Sequence, residues 1–182
     1  MVNISQIMNE KQKSIEIKSV RERILLQELF GNQSKISNII YTPYDGNDEY
    51  DMTFSQSNNN QVKNIIVEAK VRNYKMSFPT WMIEKKKYNN LMEFKDSYHK
   101  ILYINFFSCG SVAIWDLKTL AEPNWVKINH QANDYSNSRY IEKEEQDLNI
   151  KDCIQVLYNK FNVVDALDKA EIKWLEYKNE NN

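Results

Sequence analysis

Asn64-Ile65-Ile66-Val67-Glu68-Ala69-Lys70-Val71-Arg72 decides how this 182-residue chain is read. Its length and its β-branched residues predict a central strand. Successive strand side chains point to opposite faces, so Ile65, Val67, Ala69 and Val71 form one apolar stripe. Ile66, Glu68 and Lys70 share the other face. A carboxylate and an ammonium thus stand two residues apart near the end of a strand otherwise suited to burial, where a charge must be paired or bound to something. Upstream, Glu49-Tyr50-Asp51-Met52-Thr53-Phe54 alternates as well, with Tyr50, Met52 and Phe54 on one face and Asp51 on the other. Ser55 to Gln61 has turn composition, which predicts a hairpin bringing Asp51 near Glu68. Asp45 and Asp48 are close by, but they sit in turn sequence, where aspartate caps backbone for its own reasons; Asp51 is the stronger candidate.

Ahead of the hairpin, residues 1–18 are a weakly patterned lead-in. Ser19 can cap a helix through Phe30, with Gly31-Asn32 as the stop. Glu22 heads its apolar stripe of Leu25, Leu26 and Leu29, a placement that the helix dipole alone also favours; Glu28 is the rival acid. Ser37–Tyr41 reads as a first strand and Thr42–Asn47 as a turn. After the hairpin, Thr80 can cap a helix to about Asp96, on which Ile83, Leu91 and Phe94 fall together with Lys87 between them and Lys85 and Lys86 elsewhere. A lysine in an apolar stripe either snorkels to the edge or serves a site. Lys100–Phe107 and Ser111–Leu117 are strands joined at Ser108-Cys109-Gly110. Trp125–Ser138 reads as irregular, Tyr140–Asp147 as a charged helix, and Val164–Tyr177 as an amphipathic helix presenting Leu167, Ala170, Trp174 and Tyr177. With no repeat and no linker, the expectation is one domain over 1–182, with a core at about 19–118 and an irregular and helical extension over 119–182.

Composition closes off several classes. Three glycines and no Gly-rich loop argue against a P-loop or dinucleotide fold. Cys109 and Cys153 are too few for a disulfide framework, and with His99 and His130 isolated there is no zinc-ligand spacing. No apolar run reaches 18 residues and no signal-peptide pattern follows Met1, so the expected location is cytoplasmic, away from membranes. The net charge of −1 is low for a nucleic-acid binder, but it is unevenly spread. Lys63 to Lys100 carries nine Lys or Arg against four Asp or Glu, whereas Ile141 to Asn182 carries six against ten. Solvated helical faces would give the same asymmetry.

Asp51 followed by Glu68-x-Lys70 on adjacent strands resembles the PD-(D/E)xK nuclease superfamily, the restriction-endonuclease-like fold. The run Arg21-Glu22-Arg23-Ile24 before an apolar helix is similar to the first helix of its Holliday junction resolvase-like members, and Tyr50 stands where the family pattern has proline. The resemblance implies an α/β fold with a central mixed sheet of four to five strands flanked by helices, in the order αβββαββ with C-terminal helices. It implies a metal-dependent DNA endonuclease of restriction or resolvase type using Mg2+ or Mn2+. Asp51, Glu68, the Ala69 carbonyl and Glu22 are then the metal ligands, and Asp51, Glu68, Lys70 and Lys87 the catalytic set. Arg72, Lys75 and Lys86 are candidates for DNA contact, and a homodimer is one arrangement open to it. The competing readings are a nuclease-fold protein without catalysis that binds DNA or serves assembly, and an unrelated α/β domain in which Glu-x-Lys is an ordinary ion pair.

Overall fold

In the computed structural model, which describes residues 4–43, 48–59, 61–131 and 140–180, the stretch quoted above is the C-terminal part of a twelve-residue strand, β3 (Gln61–Arg72). It lies inside a six-stranded mixed sheet of order β1-β2-β3-β5-β6-β9. β1 (Ile36–Tyr41) and β2 (Met52–Asn58) extend it on one side, β2 pairing antiparallel with β3 from Met52 opposite Val67 to Asn58 opposite Gln61. On the other side β5 (Lys100–Phe107) runs parallel, with Glu68 opposite Tyr103 and Lys70 opposite Asn105. A parallel pair needs a crossover, and β4 (Thr80–Glu84) with α2 (Lys85–Met92) supplies it. β6 (Val112–Asp116) returns through a turn at Gly110, whose φ is 78° and where a Cβ would meet the Phe161 carbonyl at 2.4 Å, so only glycine fits.

The period-2 pattern of β3 is obeyed on both faces. Ile65, Val67, Ala69 and Val71 pack with Met52 and Phe54 beneath Leu25, Leu26 and Leu29 of α1 (Ile4–Phe30). Ile66 faces the opposite layer, with Trp81, Ile83, Leu91, Tyr103 and Trp115. The expected α/β core with its mixed sheet and flanking helices is present as β1-β2-β3-β5-β6, and β9 (Gln155–Leu157), from the C-terminal part, adds a sixth strand.

Several local expectations are corrected. The lead-in is helical from Ile4, because Ile17 and Val20 pack against Ala170 of α3 (Val163–Glu180) and Trp174 Nε1 donates to Glu16 at 2.7 Å. The two hairpin strands run through most of Ser55–Gln61, which was expected to turn. Tyr50 leaves the Met52–Phe54 face and meets Phe94 edge-on in the other layer. Thr80–Glu84 is a strand, with Trp81 and Ile83 buried between more accessible neighbours, and only Lys85–Met92 is helical. Tyr140–Asp147 is not a helix but most of β8 (Tyr140–Asn149), which joins β4 and β7 (Val126–Gln131) in a second sheet of order β4-β8-β7. Part of the expected irregular segment is therefore β7, while 132–138, together with Asp45 and the turn after Pro43, lies outside the described residues. The C-terminal amphipathic helix is α3, seated on α1 through Leu167, Ala170 and Trp174.

Candidate active site

β2 begins at Met52, opposite Val67, so β3 runs five residues beyond it to Arg72. Asp51 N donates to the Val67 carbonyl at 2.9 Å, and beyond that point β2 offers β3 no backbone. Alternate residues of a strand present their amides to the same edge, so Ala69 and Val71 turn theirs to this gap. Two carboxylates fill it. Asp51 Oδ2 accepts from Ala69 N at 2.7 Å, and Glu22 Oε1, reaching down from α1, accepts from Val71 N at 3.1 Å. Both acids are buried, at 7% and 4% exposure.

Glu68 is the most enclosed acid of the group, 2% exposed. Its Oε1 lies 2.5 Å from Lys70 Nζ and 3.2 Å from Lys87 Nζ, so one carboxylate oxygen is shared between two ammonium groups. Lys87 arrives from α2 on the second layer, and its ammonium also donates to the Glu49 carbonyl at 3.4 Å. The helix is held there by Asn90, whose side-chain amide donates to the Glu49 carboxylate.

Burial chiefly, and then the neighbouring Asp51 charge, pushes the Glu68 carboxyl up to about 7 against the pull of the two lysines. Burial likewise raises Glu22, offset in part by Lys70 and reinforced by Asp51. Burial would lower Lys70, but Glu22, Glu68, Asp51 and Tyr103 outweigh it and hold the ammonium well above its usual range. Tyr103, buried beside them, is pushed up to about 12 by the same loss of solvent.

Sequence reasoning did not single out Arg23 or Tyr103. Arg23 stands 3.3 Å from Asp51 Oδ1 and is pinned by the Thr42, Pro43 and Ser19 carbonyls and by the Thr42 and Ser19 hydroxyls. Its one sequence signal was its place beside Glu22 in the charged run that opens an apolar helix. Tyr103 carries no such signal, since its placement follows from the β3–β5 register. The other candidates separate. Arg72 gives Nε to Asn105 at 2.7 Å and Nη2 to the Met82 carbonyl and Tyr103 hydroxyl at 3.1 Å each, which ties it into the sheet. Lys75 is exposed on the segment after β3. Lys86 is exposed in a groove with Glu84, Asn89 and Glu142 beside the second sheet. Glu28 lies on the outside of α1, 3.9 Å from Lys169, away from this cluster.

Buried oxygen donors without thiolate or imidazole suit a hard cation. Among the described residues no three His, Cys, Asp or Glu side chains converge on one point, so such an ion would rest on two carboxylates completed by backbone oxygen, water or a ligand phosphate, the habit of Mg2+.

A mixed sheet with a helix over each layer, carrying Asp51, Glu68 and Lys70 at one strand end, is the arrangement that the restriction-endonuclease-like resemblance implies. Among solved structures the chain is similar to Hjc of Archaeoglobus fulgidus, a Holliday junction resolvase from an archaeal hyperthermophile, at 12% identity and a TM-score of 0.45, over 76% of this chain and 93% of that one. No protein-family model and no curated protein matches it. Among the described residues no helix is long and apolar enough to cross a membrane.

Proposed function

We propose that the protein is a magnesium- or manganese-dependent phosphodiesterase acting on DNA. One observation carries this: Glu68, a carboxylate 2% exposed and enclosed among Asp51, Lys70 and Lys87, with one oxygen shared between the two ammonium groups. A buried charge is tolerated at a loss of stability, and strongly shifted carboxylates gather where chemistry uses them.

Asp51, Glu68 and the Ala69 carbonyl would hold the ion, with Glu22 beside them. Such an ion neutralises charge on a phosphate and makes bound water more acidic. Lys70, kept charged by three carboxylates, acts at neutral pH as a hydrogen-bond donor that orients water and steadies phosphate charge, not as a proton acceptor. Lys87 gives Glu68 a second positive neighbour, which favours its ionised, ligating form. Arg23 fixes Asp51 from the far side. A second reading, a DNA-binding protein without catalysis, draws on the fact that Asp51 and Glu68 are already compensated by the protein's own cations.

The test is cleavage of duplex, flap, branched and single-stranded DNA with magnesium or manganese, and with calcium as the ion that supports binding alone. Glu68→Gln keeps the side-chain shape and should slow cleavage by about 100-fold or more while the thermal transition is retained. Equal rates for wild type and variant, or no cleavage of any substrate, defeats the proposal. Metal-insensitive DNA binding without cleavage selects the second reading.

A further inference from the structure

We infer that Tyr74 and Phe78, on the segment leaving β3, form a stacking platform for unpaired bases, so that the substrate class of the site is nucleic acid with single-stranded character beside the cleaved phosphate. The inference rests on the phosphodiesterase reading of the site and adds its substrate class.

Residues 73–79 read Asn73-Tyr74-Lys75-Met76-Ser77-Phe78-Pro79. Tyr74 is 69% and Phe78 61% exposed. Single exposed apolar side chains are ordinary, but here two aromatic rings fall within five positions with a lysine between them. The segment is fastened at both ends: Ser108 N donates to the Tyr74 carbonyl at 3.1 Å and Ile150 N to the Pro79 carbonyl at 2.9 Å. Ser77 N closes a tight turn onto the Lys75 carbonyl at 2.8 Å, and Met76 packs into the layer below. The backbone thus holds both rings outward.

Phe78 is also braced. It meets Trp81 edge-on at 5.9 Å, and Trp81 in turn lies 4.5 Å from the fully buried Phe107. A ring held this way loses little freedom when a ligand stacks on it. Neither the ring nor the hydroxyl of Tyr74 has a partner among the described residues, and Lys75 has no carboxylate partner there.

Position and charge select the occupant. Tyr74 is four residues past Lys70, at most about 14 Å along an extended chain. Met76 belongs to the same layer as Ile66 and Trp81, so the segment emerges on the side of the sheet from which Lys87 meets Glu68. Lys75 stands between these rings, and over Lys63 to Lys100 basic residues outnumber acidic ones nine to four. Aromatic faces interleaved with cations suit a single strand, whose bases can unstack, while a duplex hides its base faces. Two rings are too small an area for a stable protein partner, which needs on the order of 1,200 Å² in total.

The experiment measures binding of the full chain, in calcium, to a fluorescein-labelled single strand and to a duplex of equal length. Tyr74→Ala and Phe78→Ala should each weaken the single strand by about 5- to 150-fold and the duplex by less than about 2-fold. Tyr74→Phe and Phe78→Tyr should restore it, and 2-aminopurine in the strand should be quenched by wild type but not by the Ala variants. Equal losses on both DNAs, or no loss, overturn the platform. So does a dimer in sedimentation that Tyr74→Ala dissociates, since the rings would then face a second copy of the chain. Intact Glu68-dependent cleavage with unchanged single-strand binding in the Ala variants sinks the platform and spares the phosphodiesterase. Tyr74-dependent strand binding without Glu68-dependent cleavage does the reverse.

Discussion

On the second sheet Lys143 meets Glu84 at 2.6 Å and Lys127 meets Glu142 at 2.7 Å, and at its edge Lys85 of α2 meets Glu144 at 2.9 Å, every side chain a third or more exposed. At the end of β3, Lys70 meets Glu68 at 2.5 Å, with the carboxylate 2% exposed. The residue types and the distances are alike, so contact geometry does not separate the two groups. Solvent does. Water around the outer pairs does most of the stabilising of each charge, and the pair adds little. The Glu68 carboxylate is all but shut off from water while Lys70 and Lys87 stay 27% exposed, so the carboxylate depends on its neighbours and their proton affinities move.

Three measurements press on that contrast. The largest effect is expected from Lys70→Met, which leaves Glu22, Asp51 and Glu68 crowded around a lost cation. Urea unfolding at pH 8 should show a loss of about 3 kcal/mol, shrinking towards pH 5 as the carboxyls take up protons. A loss no greater than that of an outer-sheet lysine would erase the distinction.

Next comes the pH dependence of the wild type in EDTA. The folded-state value of Glu68, about 7, lies above its ordinary 4.5, so the native state binds this proton more tightly than the unfolded chain does. The stabilisation is full below pH 4.5 and is lost as pH rises towards 7, by about 3 kcal/mol if Glu68 acts alone. Glu22 is shifted the same way and adds to the slope. Lys70, raised above 10.5, contributes throughout this window and is lost only at higher pH. Unfolding midpoints of Glu68→Gln should therefore vary distinctly less between pH 5 and 7; parallel curves would refute the assignment to Glu68.

The smallest effect is expected from Lys143→Ala, under about 1 kcal/mol and weaker still in 0.5 M salt. A loss approaching that of Lys70→Met would mean that the second sheet depends on its ion pairs.

The same contrast explains what the sequence let one read. β3 carried its own period, so the apolar stripe, the opposite face and the Glu68–Lys70 pair were visible in nine residues. Lys87 was visible because it interrupts an apolar pattern, although Thr80–Glu84, assigned to the same helix, is a strand. β8 was not visible. Between Ile141 and Leu148 it is Glu-Lys-Glu-Glu-Gln-Asp, and alternating charge serves a helix face as well as a strand whose partners lie elsewhere. Its pairing with β4 and β7 is a tertiary fact, as is the approach of Arg23 to Asp51 across 28 positions.

The gap beside β3 has a consequence for motion. Among the described residues Ala69 and Val71 have no neighbouring strand at that edge, and their amides are held by the side chains of Asp51 and Glu22. Two acids stand in for a missing piece of backbone. Whatever draws those carboxylates away loosens the strand end that carries Glu68 and Lys70, and whatever seats them tightens it. Exchange of the Ala69 and Val71 amides with heavy water is therefore a gauge of the site itself: slow while the acids sit on the strand, faster once a cation competes for their oxygens.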